Sequence, residues 1–226
     1  MGEKLKKEDG GKAADVTHYR SLIGNLLYLT TTRPDLMYAA SLLSRFMQSL
    51  SHFHLGATKR VLRYVQGTTN LGLSFQKNHA LNLVGYCDSD LGGSLDDMKS
   101  TSGYCFSFGL AIFSWLSKKQ QSVAQSSAEA EYISASVATS QAIWLRRILA
   151  DLGHHQGTVL YYNNKSAIAM AKNPIHHSRT RHITLKHHFI RQTIEDREIQ
   201  LEFCRSEEQL SDIFTKALPR ERFEQL

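Results

Sequence analysis

Apolar positions recur at helical spacing from Tyr19 onward. Leu22, Ile23, Leu26, Leu27 and Leu29 share one face and predict an amphipathic helix. Thr32-Arg-Pro-Asp interrupts it, and Pro34, whose missing N–H costs little in a first turn, opens a second helix to about Met47. A third helix, from about His54 to Val65, sets Leu55, Thr58, Val61, Leu62 and Val65 on one side. Lys59, Arg60 and Arg63 fall largely on another side, and Gly67 stops the helix. Between about Thr68 and Ala80 the chain turns polar and contains glycine, which marks an expected domain boundary. Leu81, Leu83 and Val84 then predict a short buried strand that runs out at Asp88 and Asp90. Gly103 to Phe108, with Tyr104, Phe106 and Phe108 on one face, and Ala111 to Leu116 after a turn at Gly109 complete an antiparallel meander. Ser126-Ser-Ala-Glu129 has capping-box spacing and opens a long helix through Tyr132, Ile133, Val137, Trp144, Ile148 and Leu149. Gly153 ends it, and Thr139-Ser140 is a candidate break. Beyond it the pattern predicts a fourth strand over Val159 to Tyr162, a short helix over Lys165 to Lys172 stopped by Pro174, and a helix over His182 to Asp196. A fifth strand over Ile199 to Phe203 and a last helix over Gln209 to Leu218 follow, so the class is α/β.

Composition adds limits to this outline. At 226 residues and 42% hydrophobic content, the chain can bury the core of one large domain or two small ones. Lys and Arg total 27 against 21 Asp and Glu, a net charge of +6, which favours a polyanionic partner without identifying one. Met1 to about Val16 mixes charge with glycine and offers almost nothing to bury, so a disordered lead-in is expected over residues 1–16. Cys87, Cys105 and Cys204 are odd in number, widely spaced and set in apolar runs, as buried thiols of an intracellular protein would be. No apolar run approaches the ~20 residues of a membrane span, and the opening residues do not resemble a signal peptide. A soluble, non-secreted protein of cytosol or nucleus is expected.

The acids are the candidate chemistry. Asp88 ends the first strand, Glu131 opens the long helix and Asp212 lies in the last one. Mg²⁺ takes hard oxygen ligands, and in-line phosphodiester hydrolysis is served by two ions ~3.5–4 Å apart, so carboxylates from distant segments suit that chemistry. Spacing alone does not make them converge, because Asp is also a common turn residue after a strand.

Specific motifs carry a family resemblance. Gly85-Tyr-Cys-Asp-Ser-Asp, Lys99-Ser-Thr-Ser-Gly-Tyr, Ser114-Trp-Leu-Ser-Lys-Lys-Gln, Ser126-Ser-Ala-Glu-Ala-Glu-Tyr, Ala142-Ile-Trp-Leu-Arg-Arg, His177-Ser-Arg-Thr-Arg-His-Ile and Asp212-Ile-Phe-Thr-Lys-Ala-Leu resemble the ribonuclease H domain of Ty1/copia retrotransposon Pol polyproteins, from Leu81 almost continuously to Leu226. Upstream, Tyr19-Arg-Ser-Leu-Ile-Gly, Tyr28-Leu-Thr, Thr32-Arg-Pro-Asp, Leu43-Ser-Arg-Phe and Lys59-Arg-Val-Leu-Arg-Tyr-Val-Gln-Gly-Thr are similar to the stretch after the reverse-transcriptase palm, a thumb-like or connecting region.

The resemblance implies a helical thumb-like region over 17–75 and, over 81–226, a ribonuclease H-like mixed five-stranded sheet flanked by helices. It also implies two-metal, Mg²⁺-dependent hydrolysis of the RNA strand of an RNA/DNA hybrid. Its metal ligands fall on Asp88, Glu131, residue 163 and Asp212, with Asp90 and Glu129 as the alternatives for the first two. Lys59, Arg60, Arg63, Arg179, Arg181 and His182 are implied to touch the backbone of a hybrid or duplex, which positions nucleic acid without reading its sequence. No Tyr-x-Asp-Asp occurs, so a polymerase palm would have to come from another chain. His154-His155, His176-His177, His182 and His187-His188 stand in no zinc-binding pattern and read as surface or backbone-contacting residues.

Departures from the family pattern change the expectation. Where the family has Tyr-Cys-Asp-Asn-Gln-Ser-Ala, this chain has Tyr161-Tyr-Asn-Asn-Lys-Ser-Ala, so the third carboxylate is Asn163, followed by the cation Lys165. Leu91 replaces a Trp and Ser94 an acid. Impaired hydrolysis is therefore expected, the alternative being a non-catalytic remnant that still holds nucleic acid.

Overall fold

In the computed structural model, which describes residues 4–75, 82–172 and 184–226, three helices lead. They are α1 (Val16–Leu29), α2 (Met37–Ser44) and α3 (His52–Gly67). Asp15 caps α1 by accepting from the Thr17 and His18 amides at 2.9 and 3.0 Å. Tyr19, Ile23 and Leu26 of α1 meet Ala40 and Leu43 of α2 in a small core, against which Val61, Leu62 and Val65 of α3 pack. The helix expected from Pro34 to Met47 starts instead as a 3₁₀ turn over Pro34–Leu36 and ends at Ser44.

The lead-in expected to lack structure is laid along α3 over residues 4–15. Ala13 bridges Ser51, and the Lys7 amide donates to Asp96 at 2.9 Å. His54, fully buried, joins the two segments. Its Nδ1 accepts from the Ser51 amide at 3.0 Å, which leaves Nε2–H to donate to the Lys6 carbonyl at 3.1 Å, and its ring stacks on Phe46 at 4.1 Å. His54→Ala would open a cavity and orphan two polar groups, so a loss of about 2–4 kcal/mol is expected in denaturant titration. An unchanged midpoint would refute that role.

The second unit is a sheet of β1 (Leu83–Ser89), β2 (Thr101–Phe108), β3 (Ala111–Lys119), β4 (Thr158–Tyr162) and β5 (Ile199–Phe203), in the order β3-β2-β1-β4-β5. β1, β2 and β3 pair antiparallel, while β1–β4 and β4–β5 pair parallel. Helices α4 (Ser127–Asp151), α5 (Lys165–Lys172), α6 (Thr184–Glu195) and α7 (Arg220–Gln225) accompany it. α4 presents Ala130, Ala135, Ala138 and Ala142, all buried, so its backbone lies close over Cys87, Phe106 and Leu160. The candidate break in α4 does not occur: Ser140 bonds back to the Ser136 carbonyl at 3.0 Å and the helix runs on.

The expected last helix over Gln209 to Leu218 is instead a 3₁₀ turn, Leu210–Phe214, followed by α7. All three cysteines are free and buried. No helix among the described residues is long and apolar enough to cross a membrane. The expected boundary falls partly on 76–81, outside the described residues. Where the two units meet, α2 lies on β3. Trp115 Nε1 donates to the Thr30 carbonyl at 2.9 Å, and Ser41 Oγ to the Ser117 carbonyl at 3.0 Å.

Candidate active site

β1 is the central strand, and it carries Asp88 to a point where four other segments converge. The strand is pinned on both sides: Ser134 Oγ of α4 donates to the Asp88 carbonyl at 2.7 Å, and Gln209 Nε2 donates to the Cys87 carbonyl at 3.1 Å. Opposite Asp88 in the β1–β2 register stands Gly103. A Cβ there would lie 2.7 Å from Phe214 Cβ and 2.8 Å from Thr215 Cγ2, so only glycine lets the 3₁₀ turn press against the sheet. A 3₁₀ turn eclipses residues i and i+3, which sends Asp212 and Thr215 to the same side. Thr215 Oγ1 accordingly donates to Asp88 Oδ2.

Glu131 enters from the first turns of α4. Burial, and after it the Asp88 charge, pushes its carboxyl well above the usual carboxylate range, and its Oε2 has no hydrogen-bond partner. Asp212 is also raised, by burial first; a hydrogen bond from Lys216 opposes the shift and the Asp88 charge adds to it. Asn163 follows β4 and turns its amide Nδ2 to Asp88 Oδ1 at 3.5 Å. Lys216 Nζ lies 2.8 Å from Asp212 Oδ1 and 3.7 Å from Asp88 Oδ2. Burial alone would lower the Lys216 pKa, but the Asp88, Asp212 and Glu131 carboxylates raise it on balance.

The structure thus brings Asp88, Glu131, Asn163 and Asp212 together. Asp90 is turned aside, accepting from the Thr101 amide, and Glu129 accepts from the Gln125 amide at 3.0 Å, just before the N-terminus of α4. Lys165, expected beside the cluster, instead lies over the Phe203 ring, 4.8 Å from its centroid. The cation nearest the acids is Lys216, with Arg222 farther off at 4.0 Å from Asp212 Oδ2; spacing alone could have suggested Lys216, since it follows Asp212 by four residues. Gly103, Thr215, Gln209 and Ser134 were also missed, because their roles arise from approach between distant segments. Lys59, Arg60 and Arg63 are exposed on α3. Arg179, Arg181 and His182 lie outside the described residues.

A cleft of about 1160 Å³ opens between the helical unit and the sheet unit. Arg45, Arg60 and Arg63 line one side of it, and Asp90, Leu91 and Lys216 the other. Among the described residues no group of three or more His, Cys, Asp or Glu side chains is arranged to hold a metal ion. The donor types nevertheless suit a hard divalent cation: Asp88, Glu131 and Asp212 are buried carboxylates, and Glu131 Oε2 has no hydrogen-bond partner.

The mixed sheet, with its central acid-bearing strand and flanking helices, defines a ribonuclease H-like domain preceded by a helical region. No protein-family model matches the chain. The retrovirus-related Pol polyprotein from transposon RE1 of Arabidopsis thaliana is 40% identical over 223 residues, covering 98% of this chain and 15% of the polyprotein. That from transposon TNT 1-94 of Nicotiana tabacum is 40% identical over 219 residues, covering 96% of this chain and 16% of the polyprotein. The chain belongs to this family, the retrovirus-related Pol polyproteins of copia-type transposons, and spans only that short share of their length. Among solved structures, the foamy viral protease-reverse transcriptase dRH in complex with double-stranded DNA matches 96% of this chain and 36% of its own length, with a TM-score of 0.57 and 14% identity. That likeness is one of fold.

Proposed function

We propose that the chain is a ribonuclease H-type segment of such a polyprotein, residues 81–226, with thumb-like helices over 17–75. In this reading it binds RNA/DNA hybrid or duplex inside the cell, in cytosol or nucleus, and cuts the RNA strand weakly. The observation that carries the reading is the burial of Asp88, Glu131 and Asp212 around Lys216, which itself lines a basic cleft. Asp88, Glu131 and Asp212 would hold Mg²⁺, which supplies charge neutralisation at the scissile phosphate and an acidified water. Ser134 and Gln209 fix the strand that carries Asp88, and Thr215 fixes its carboxylate, so the first ligand is preorganised. Polymerisation would need a palm from another chain.

A second reading, a remnant that holds hybrid without cutting it, is favoured by Asn163, which offers no charge where the family has a carboxylate. A hybrid with a labelled RNA strand, incubated in Mg²⁺, separates the two. Slow cutting that vanishes in Asp88→Asn carries the first reading, and no cutting by either protein carries the second.

Both readings expect sequence-independent binding that weakens steeply with salt, through release of counterions from the phosphates. Replacing Arg60 and Arg63 together with Gln should lower the log–log salt slope by about 2, one phosphate contact each. An unchanged slope would remove α3 from the interface.

A further inference from the structure

We propose that Lys216 is a built-in counter-ion of the acid cluster, released by nucleic acid, so that divalent-ion binding and nucleic-acid binding are coupled through this one side chain. The proposal rests on the reading of Asp88, Glu131 and Asp212 as a cation site. Its geometry is asymmetric. The Asp88 and Asp212 side chains are only 3% and 7% exposed, whereas Lys216, the cation that joins them, is 46% exposed. The carboxylates are therefore fixed and the ammonium, on its four-carbon stem, is free to move.

Lys216 also lines the cleft that Arg60 and Arg63 line. A phosphate backbone in that cleft, drawn by the exposed guanidinium groups of Arg60 and Arg63, offers the ammonium another anion. An ammonium and a divalent ion cannot share the same carboxylate oxygens, because like charges a few ångströms apart repel strongly where water is scarce. With Lys216 in place, Asp88 and Asp212 are ion-paired, and the buried Glu131 Oε2 has no hydrogen-bond partner. With Lys216 drawn to a phosphate, Asp88 and Glu131 lose their nearest cation, and Asp212 keeps only the longer approach of Arg222, 4.0 Å from its Oδ2, so the cluster gains net negative charge for a divalent ion. Nucleic acid then tightens ion binding, and by linkage the ion tightens nucleic-acid binding by the same factor.

The test is a calorimetric Mn²⁺ titration of the full chain, alone and with a hybrid whose RNA strand is 2′-O-methylated and so resists cutting. The hybrid should tighten Mn²⁺ binding by the unaltered chain about tenfold. Lys216→Gln should bind Mn²⁺ about tenfold more tightly without hybrid and gain little more from it. Lys216→Arg, which keeps the charge, should behave like the unaltered chain. In EDTA, Lys216→Gln should unfold at a lower temperature than the unaltered chain and recover on adding Mn²⁺, a readout independent of nucleic acid.

Equal Mn²⁺ affinity in Lys216→Gln and the unaltered chain, or an undiminished hybrid effect in Lys216→Gln, would overturn the proposal while leaving the cation site intact. Mn²⁺ binding that is indifferent to Asp88→Asn would overturn the cation site itself, and with it this role for Lys216.

Discussion

Asn163→Asp is expected to raise hybrid hydrolysis from near background by about a hundredfold or more in Mg²⁺. The unaltered protein should gain part of this when Mn²⁺ is substituted or Mg²⁺ is raised. An amide carbonyl can still ligate a divalent ion, but it brings no charge and cannot bridge two ions as a carboxylate does. The same substitution has a cost that separates it from a general improvement. In the present chain Asn163 Nδ2 faces Asp88 Oδ1 at 3.5 Å and donates to it. A carboxylate in that place would face Asp88 with no proton to offer, in a pocket where Glu131 already sits well above its ordinary pKa. Asn163→Asp should therefore be less stable than the parent in EDTA, by about 1–2 kcal/mol, and should recover in Mg²⁺. Thermal unfolding with and without metal checks this directly. Robust cleavage by the unaltered chain, abolished by Asp88→Asn, would show that another group fills the third position.

Gly103→Ala should be nearly as damaging in the opposite direction. A single methyl at this position would stand 2.7 Å from Phe214 Cβ, and Phe214 is fully buried, so the ring has nowhere to go. Overpacking of this kind costs about 1–3 kcal/mol and is relieved by moving the 3₁₀ turn off the sheet. That movement carries Asp212, Thr215 and Lys216 away from Asp88. Displacement of about 1 Å in a reacting constellation is worth on the order of a hundredfold in rate. Measured in the Asn163→Asp background, where there is activity to lose, Gly103→Ala should remove most of it while leaving a folded protein. Undiminished activity would mean that the turn is not what holds Asp212 in place.

The five strands were legible because each is a short apolar run bounded by polar or glycine-containing turns, and Lys165–Lys172 and Ile199–Phe203 match in full. What failed has physical causes that hydropathy does not register. Residues 4–15 have almost no apolar content and are held by backbone hydrogen bonds and by buried His54, which no apolar pattern records. The turn over Leu210–Phe214 reads as a helix because Leu210, Ile213 and Phe214 have a spacing that both helix types share. Its close seat against the sheet needs the space left by Gly103, more than a hundred residues away. Of the site, Asp88, Glu131 and Asp212 were candidates by their places on separate elements, and family motifs made them one set and added residue 163. The motifs could not say which cation faces them. Lys165 follows Asn163 by two residues but lies over the Phe203 ring, whereas Lys216, from the far end of the chain, reaches the acids.

The contact between α2 and β3 has a further consequence for handling the protein. The sheet ends in two unlike edges. β5 is five residues long, with polar Gln200 and Glu202 along it, whereas β3 is nine residues long and carries Ile112, Phe113, Trp115 and Leu116. Natural sheets protect a long apolar edge because its unpaired backbone groups recruit other chains. Here the protection is supplied by the helical unit, which engages the Ser117 carbonyl and the Trp115 indole. A fragment trimmed to the sheet unit would keep every acid of the cluster yet bare this edge. Such a truncation should self-associate and precipitate, and poor yields from it would report on the missing helices rather than on the cluster.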